Sequence, residues 1–219
     1  MSNTNVRIRA VVFDLDGTLI DSTDAIVQSC MHTFDVIGEP RPDRDAIVRN
    51  IGYTLEQHFA LFTQHDVHDC ARIYREHYAG ICCAMTTLMP GAREALDALK
   101  TMGYRLGFAT SKRRLYAENI LEHLRVLNFF EARIGPDDVA NPKPAPDAML
   151  AAIKRFELSP EETIMVGDTH FDVECAHSAG SRCLCVTTGY ETRAELEALQ
   201  PWAIFDTLRE VAGHILFKR

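Results

Sequence analysis

Short apolar runs alternate with stretches of helical periodicity beyond Met85, and this order constrains the fold more than any other feature of the sequence. The apolar runs predict strands, and the periodic stretches predict helices. With a further run near the N-terminus, the predicted strands cover residues 10–13, 105–109, 163–166 and 182–186, and the predicted helices cover residues 92–101, 116–124 and 147–156. Strands that alternate with helices form a parallel sheet covered on both faces. The sequence therefore predicts an α/β fold built on a parallel sheet.

The stretch between the first predicted strand and Met85 has a different pattern. No convincing strand occurs over residues 23–83, and apolar residues recur there at helical spacing. The two sets of recurring residues are Ile26, Cys30, Phe34 and Ile37, and Cys70, Ile73, Tyr74, His77 and Ile81. Thr54 and Gln57 have the spacing of a capping box at the start of a helix. We predict an all-helical domain over residues 19–84, inserted into a core of residues 1–18 and 85–219.

Composition and charge exclude several classes of protein. The net charge of −8 argues against nucleic acid as a partner, because phosphate contacts need a basic surface. No apolar run reaches the length of about 18 residues that spans a membrane, and the N-terminus lacks a secretory pattern, so we expect a cytoplasmic protein without a membrane partner. The seven cysteines match no zinc spacing and are interpreted as reduced, packed thiols. Composition leaves open whether the chain is a monomer or a homodimer.

A pair of carboxylates follows the first predicted strand directly, in the segment Asp14-Leu15-Asp16-Gly17-Thr18. Ligands of open α/β sheets bind at the carboxyl ends of the strands. Gly17 allows the chain to turn sharply there, so both carboxylates can face one small site. One of them can attack phosphorus while the other transfers protons. By itself, an Asp-x-Asp-Gly segment is as compatible with two solvated turn residues.

Two further segments offer groups that bind phosphate. Thr110 and Ser111 follow the predicted strand over residues 105–109, where a hydroxyl can donate a hydrogen bond to a phosphoryl oxygen. Hydroxyl residues are also common helix caps, so this signal is weak alone. Lys143 lies in a segment with prolines on either side, residues 141–146, which holds the loop extended and aims the ammonium group.

Asp168 and Asp172 follow the predicted strand that ends at Val166. Both can face a hard cation, and carboxylate oxygens suit Mg²⁺ better than a transition metal. Asp172 taken alone is equally well explained as an acidic residue in the first turn of a helix, where the helix dipole favours it. The pair therefore indicates a magnesium site only in combination with the other segments.

In this order and spacing, the four segments resemble the motif set of the haloacid dehalogenase-like hydrolases over essentially the whole chain. The resemblance implies a Rossmann-like core with helices on both faces and an inserted helical cap. It implies that Asp14 is the nucleophile and Asp16 the general acid and base. It also implies that Thr110 binds the transferring phosphoryl group, and that Lys143 neutralises this group and orients Asp14.

The same resemblance implies Mg²⁺ as cofactor. Asp168 would hold the ion with Asp14 and with the backbone carbonyl of Asp16, and Asp172 would be a ligand or a neighbour of the ligands. The acid at Asp16 is similar to the family's phosphatases and phosphomutases and disfavours a dehalogenase. Ser111 stands where many relatives carry asparagine. We expect Ser111 to bind the substrate and the difference to affect only secondary contacts.

The overall pattern looks most like the phosphoglycolate phosphatase-like group. We therefore expect a phosphatase for a small phosphorylated metabolite, with 2-phosphoglycolate as the first substrate to try. A β-phosphoglucomutase-like phosphomutase, a pyrophosphatase and, more remotely, a non-catalytic binding protein stay open. In the helical insertion, Arg49 is the candidate for reaching an anionic substrate. Lys112, Arg113 and Arg114 are interpreted as a surface cluster, with a place at the entrance of the site as the alternative.

Overall fold

The computed structural model describes residues 7–217, and the apolar run at the N-terminus forms the first strand of its main sheet. The strands in this range are β1 (Ala10–Phe13), β2 (Ile20–Asp21), β3 (Thr87–Leu88), β4 (Arg105–Ala109), β5 (Phe130–Ile134), β6 (Thr163–Gly167), β7 (Arg182–Val186) and β8 (Ala203–Phe205). All four residues of β1 are buried, as expected for a strand that is covered on both faces. The predicted strands are thus confirmed as β1, β4, β6 and β7.

The helices follow the predicted alternation with the strands. They are α1 (Thr23–Ile37), α2 (Arg44–Arg49), α3 (Leu55–Ala60), α4 (Val67–Ile81), α5 (Ala92–Thr101), α6 (Arg114–His123), α7 (Asp147–Phe156), α8 (His170–Ser178), α9 (Arg193–Ala198) and α10 (Leu208–Phe217). The predicted capping box is present at α3, where the Thr54 side chain accepts from the backbone of Gln57. None of the helices within residues 7–217 is both long and apolar enough to cross a membrane.

Six strands form one sheet in the order β5-β4-β1-β6-β7-β8, and all neighbouring pairs are parallel. The chain leaves β1 for β4 and β5 on one side and then returns to β6 on the other side. The carboxyl end of β1 is therefore the point where the order of the strands reverses. Such a switch point opens a crevice between neighbouring connections, and in open α/β sheets it is the usual place for a ligand.

Side chains of successive strand residues point to opposite faces, so each face of the sheet has its own apolar core. On one face, Val11 and Phe13 of β1 pack with residues of α5, α6 and α10. On the other face, Ala10 and Val12 pack with residues of α7, α8 and α9. The predicted α/β fold, with helices on both faces of a parallel sheet, is confirmed.

The segment between β2 and β3 contains helices α1 to α4, and we call residues 23–81 the helical segment. The short strands β2 and β3 pair antiparallel at its two ends, with Ile20 opposite Leu88. Helix α1 packs against α4, and apolar residues of both helices join the core on one face of the sheet. The division into a core and a separate helical domain over residues 19–84 stays a prediction.

Two edge strands were not predicted from the sequence. Strand β5 contains Glu131 and Arg133 among its five residues, and all three residues of β8 are partly exposed. An edge strand has a neighbour on one side only, so it can keep polar and exposed side chains. For this reason, neither strand has the continuous apolar run that marks a central strand.

Phe108 of β4 is fully buried in the core, and its replacement should destabilise the fold strongly. We expect Phe108→Ala to lower the free energy of unfolding by about 3–5 kcal/mol, through lost burial and a new cavity. Urea unfolding followed by circular dichroism measures this change. The control is Leu115→Ala on the exposed face of α6, where we expect a change within about 0.5 kcal/mol. Equal losses in the two variants would contradict the described core.

Candidate active site

The carboxylate of Asp14 lies directly beyond β1, at the switch point of the sheet. Its backbone N–H donates to the carbonyl of Val166 at 2.8 Å, which extends the pairing of β1 with β6 by one residue. The side chain is 11% exposed and faces the ammonium of Lys143, with 2.8 Å between Nζ and Oδ1. Asp14 is thus fixed at the sheet edge, with one oxygen held by a cation.

Lys143 is the cation that the stiff loop over residues 141–146 brings into this edge. Its side chain is 3% exposed, and Nζ lies 2.8 Å from Asp14 and 2.7 Å from Oδ1 of Asp172. Burial by itself lowers the pKa of Lys143, but the charges of the two carboxylates outweigh it, and the pKa ends above its ordinary value. The ammonium therefore stays charged while it is buried.

Asp168 follows β6 and is completely buried. Its Oδ1 accepts a hydrogen bond from the Thr18 hydroxyl at 2.6 Å, and its Oδ2 accepts from the backbone N–H of Tyr190 at 3.2 Å. Gly17 and Gly189 both lie so close that a Cβ on either would clash with the carboxylate. Because Gly17 also has φ of +82°, it serves both the turn after β1 and this close approach.

Asp172 has all its described contacts with donors of the protein itself. Oδ1 accepts from Lys143, while Oδ2 accepts from the backbone N–H groups of Asp168 and Thr169 and from the Thr169 hydroxyl. Thr169 and Asp172 thereby form the capping box at the start of α8. This arrangement fixes Lys143 and the chain that carries Asp168, so Asp172 acts on the site by orienting both.

The side chains of Asp14, Asp168 and Asp172 form one buried acidic group, whose oxygens lie within 4.8 Å of one another. Burial raises the pKa of Asp14 to about 7, with Lys143 opposing and Asp172 adding to the rise. Burial and then the charges of Asp172 and Asp14 raise the pKa of Asp168 well above its ordinary value. The ammonium of Lys143 contacts two of these three carboxylates, and the remaining surplus of oxygen ligands and negative charge fits a hard divalent cation such as Mg²⁺.

Asp16 lies beside this group, but its carboxylate does not belong to it. Its Oδ1 accepts a hydrogen bond from the Ser22 hydroxyl, and its Oδ2 lies 3.1 Å from Nζ of Lys112. The predicted metal contact of Asp16 was through its backbone carbonyl, and that contact stays a prediction. The side chain is free of the acidic group and faces the cavity, which is the position a group needs to transfer protons.

Thr110 and Ser111 come from the end of β4 and lie at the same cavity as Asp14. Thr110 is 3% exposed, and its Oγ1 accepts a hydrogen bond from the backbone N–H of Lys112. The hydroxyl of Ser111 is buried and has no hydrogen-bond partner among residues 7–217. A buried hydroxyl without a partner is rare, so Ser111 has a donor available for a ligand.

Arg49 is the one predicted site residue that the structure places elsewhere. It is exposed at the end of α2, does not line the cavity, and lies near the charge of Glu195. The reason is the helical period, since Arg49 lies on the opposite side of α2 from the buried Ile47. Arg49 therefore does not line the cavity, and a contact between Arg49 and the substrate stays a prediction. The residues after it, 50–56, form a wall of the cavity instead.

The cavity over this edge has a volume of about 360 Å³ and lies between the core and the helical segment. Asp14, Asp16 and Lys143 lie on its core side. Its other walls carry six aromatic rings, from Tyr53, Tyr74, Tyr78, Tyr116, Phe171 and Tyr190. The arrangement offers a charged end that can take a phosphoryl group and an aromatic end that can take the rest of a small molecule.

Sequence reasoning missed Lys112, Tyr78 and Tyr190 as residues of the site. Lys112 was interpreted as part of a surface cluster, yet its side chain is only 8% exposed. Its position directly after Thr110 and Ser111 was the available signal. Tyr78 gave no such signal, because its distance of 34 residues from Lys112 along the chain hides a contact that only folding creates.

The fold and this site define a phosphate-transferring hydrolase of the type that the motifs resemble. A family model described as haloacid dehalogenase-like hydrolase matches residues 11–186 of the chain. The chain therefore belongs to the haloacid dehalogenase-like hydrolase family.

Relatives and solved structures agree with this assignment. The chain is 36% identical to a probable phosphatase, IndB of Dickeya dadantii, over 95% of its own length and 94% of the relative. It is 31% identical to the pyrophosphatase PpaX of Bacillus cereus, over 94% and 95% of the two lengths. The crystal structure of a predicted phosphoglycolate phosphatase from Haemophilus somnus superposes with a TM-score of 0.87 and 26% identity, over 97% and 99% of the two chains. These matches extend over both the sheet and the helical segment.

Metal removal should destabilise the protein more at high pH than at low pH. Because the pKa of Asp14 is raised to about 7, the folded metal-free protein keeps protons between about pH 4 and pH 7 that the unfolded chain releases. Stability of the chelator-treated protein should therefore fall as pH rises through this range. A fixed Mg²⁺ concentration of about 100 times the Kd at about pH 8 should add about 2.7 kcal/mol at that pH, and less at about pH 5, where protons compete with the ion and raise its Kd.

Thermal unfolding with chelator and with Mg²⁺ across this pH range measures the effect. Asp168→Asn should lose most of the stabilisation by Mg²⁺. The matched control Asp24→Asn, at an exposed position paired with Arg44, should keep it. The assignment of the acidic group as the metal site would be contradicted if the stabilisation by Mg²⁺ were equal at both ends of the pH range, or equal in both variants.

Proposed function

We propose that this protein is a Mg²⁺-dependent phosphatase that hydrolyses a small phosphorylated metabolite through an aspartyl-phosphate on Asp14. One observation carries the proposal. A buried carboxylate lies at the switch point of the sheet, at 2.8 Å from a fixed ammonium and beside the carboxylate of Asp168, and it faces a closed-in cavity. Family membership supports the same chemistry, and the relative from Dickeya dadantii is named a probable phosphatase.

The first half of the reaction transfers the phosphoryl group to the protein. A carboxylate oxygen of Asp14 attacks phosphorus and forms a new P–O bond, while the bond from phosphorus to the leaving oxygen breaks. Asp16 donates a proton to that leaving oxygen. Lys143 and the hydroxyl of Thr110 hold the phosphoryl oxygens during the transfer.

The second half returns Asp14 to its starting state. Asp16, now a carboxylate, takes a proton from a water molecule, and the water oxygen attacks the phosphorus of the aspartyl-phosphate. The bond between phosphorus and Asp14 breaks, and inorganic phosphate leaves. One residue thus serves as acid and then as base, which requires that it reach both the leaving oxygen and the water.

The negative charges at this edge explain the need for a cation. Two unit charges about 4 Å apart repel by about 4 kcal/mol at an effective dielectric of about 20, so a phosphate dianion meets a barrier at Asp14 and Asp168. Asp14 and Asp168 would hold Mg²⁺, which would supply positive charge that offsets the repulsion. Lys143 adds one further charge, and Asp172 keeps it in place.

For the substrate, we propose 2-phosphoglycolate as the first compound to test. The structural similarity to a protein described as a predicted phosphoglycolate phosphatase supports this choice. The buried, unpartnered hydroxyl of Ser111 offers a donor for the substrate near the phosphoryl end of the cavity.

Inorganic pyrophosphate is the second candidate substrate. The relative from Bacillus cereus is named a pyrophosphatase and matches 94% of the chain. The same nucleophile, acid and cations would serve, because the attack on phosphorus is the same. Only the leaving group differs, a phosphate in place of an alcohol. A phosphomutase would instead return the phosphoryl group to a sugar, and a binding protein would show no turnover.

Replacement of the nucleophile should abolish turnover without loss of the fold. We expect Asp14→Asn to lower kcat by about 10⁴-fold or more, the scale seen when a covalent nucleophile is removed. The measurement is phosphate release from a panel that includes 2-phosphoglycolate, pyrophosphate and sugar phosphates, with Mg²⁺ and with chelator. The matched control Asp97→Asn, on the exposed face of α5, should retain wild-type rates. Substantial turnover by Asp14→Asn would contradict the role of Asp14.

Replacement of the proposed acid and base should slow both halves of the reaction. We expect Asp16→Asn to lower kcat by about 10²–10⁴-fold, with little change in substrate affinity. Acid-quenched samples labelled with ³²P should show whether the aspartyl-phosphate forms and how fast water removes it. A wild-type phosphoenzyme that persists until a sugar phosphate is added would favour the phosphomutase over the phosphatase.

A further inference from the structure

Lys112 has contacts that the reaction described so far does not use. Its ammonium lies 3.1 Å from Oδ2 of Asp16 and donates a hydrogen bond of 2.7 Å to the hydroxyl of Tyr78. It also lies 4.8 Å from the centre of the Tyr78 ring, within range of a cation–π contact. The side chain is 8% exposed. Burial of a lysine needs compensation, and the contacts with Asp16 and Tyr78 supply it.

Asp16 is held from two sides by these contacts. Lys112 binds Oδ2, and the hydroxyl of Ser22, just before α1, donates to Oδ1. Both oxygens of the carboxyl group therefore have fixed partners, and the rotamer of the side chain is set by them. A proton-transfer group works only when it lies within hydrogen-bond reach of the atom that receives the proton.

Tyr78 connects this pair to the helical segment. It belongs to α4, is 1% exposed, and stacks on Tyr74 with ring centres 5.4 Å apart. On its other side it meets Tyr116 of α6 edge-on at 5.6 Å. The ring is thus locked in place by residues of both the helical segment and the core, and its hydroxyl gives Lys112 a fixed anchor.

We propose that Lys112 is a positioning residue that aims Asp16 at the leaving oxygen, and that Tyr78 makes this aim depend on the helical segment in its packed position. The role rests on the proposed phosphatase function, because it acts through the acid of that reaction. The ammonium fixes the Asp16 carboxyl group, and α4 fixes the ammonium. The position of the proton-transfer group then depends on the packing of α4 against the core.

Two other roles for Lys112 predict different kinetics. A lysine that binds the substrate, which its place at the cavity would allow, changes KM when it is removed. A lysine that only supports the fold changes all reactions equally, together with stability. A lysine that acts through Asp16 changes kcat, and it does so in proportion to how much the leaving group needs a proton.

Two aryl phosphates of nearly the same size separate these roles. Phenol needs a proton in order to leave, whereas p-nitrophenol leaves readily as the anion. We expect Lys112→Met to lower the first-turnover rate of phenol release from phenyl phosphate by about 10–100-fold, part of what a positioned acid contributes, and to lower the first-turnover rate of p-nitrophenol release far less. Lys112→Arg, which keeps a cation, should restore part of the loss on phenyl phosphate.

A double-mutant cycle tests the route through Asp16. In an Asp16→Asn background, Lys112→Met should have almost no further effect on phenyl phosphate, because the group that it positions is already gone. Tyr78→Phe keeps the ring and removes the hydroxyl. It should lower the rate on phenyl phosphate more than the rate on p-nitrophenyl phosphate, as Lys112→Met does. Arg114→Met is the matched control, since Arg114 pairs with Asp138 outside the cavity, and it should leave both rates unchanged.

Each part of the proposal has its own contradicting result. Three results for Lys112→Met would overturn the positioning role of Lys112. They are an equal loss of first-turnover rate on both esters, a rise in KM alone, and full additivity with Asp16→Asn. Wild-type rates in Tyr78→Phe would overturn the link to α4. A wild-type protein that releases phosphate from neither these esters nor the metabolite panel would overturn the proposed function itself.

Discussion

The buried ammonium of Lys143 is the constraint on which the rest of the site depends. It lies within 2.8 Å of two buried carboxylates that would otherwise repel each other. Asp172 holds it with one oxygen and ties down the chain that carries Asp168 with the other. Because one ammonium among three carboxylates leaves a surplus of negative charge, the arrangement that fixes Asp14 also leaves an acidic group that fits a divalent cation.

The topology of the sheet explains why these groups can meet at all. Asp14, Thr110 and Asp168 leave β1, β4 and β6 at the same edge, and these strands are neighbours in the sheet. After β1 the chain continues to β4 and β5 on one side of β1 and later to β6 on the other side, which leaves room above the end of β1. The helical segment covers that room and contributes three of the aromatic rings at the cavity, while the other three come from the core.

Much of this could be predicted because it depends on local patterns. Apolar runs marked the central strands, and the capping box at Thr54 marked the start of α3, since periodicity and caps act within a few residues. The edge strands β5 and β8 were not predicted, because a strand with one free side can keep exposed or charged residues such as Glu131. The burial of Lys112 was not predicted, since the sequence shows that a residue is charged but not whether folding buries that charge.

The sequence by itself determined the order of strands and helices, the fold class and the candidate reactive groups, namely Asp14, Asp16, Lys143 and Asp168. These follow from residue type, spacing and position at strand ends. Only the tertiary structure decided that Lys112 faces Asp16, that Tyr78 anchors it, and that Arg49 lies outside the lining of the cavity. The physical reason is distance along the chain: contacts between groups 34 or more residues apart arise from packing, and no local pattern encodes which side chains packing will bring together.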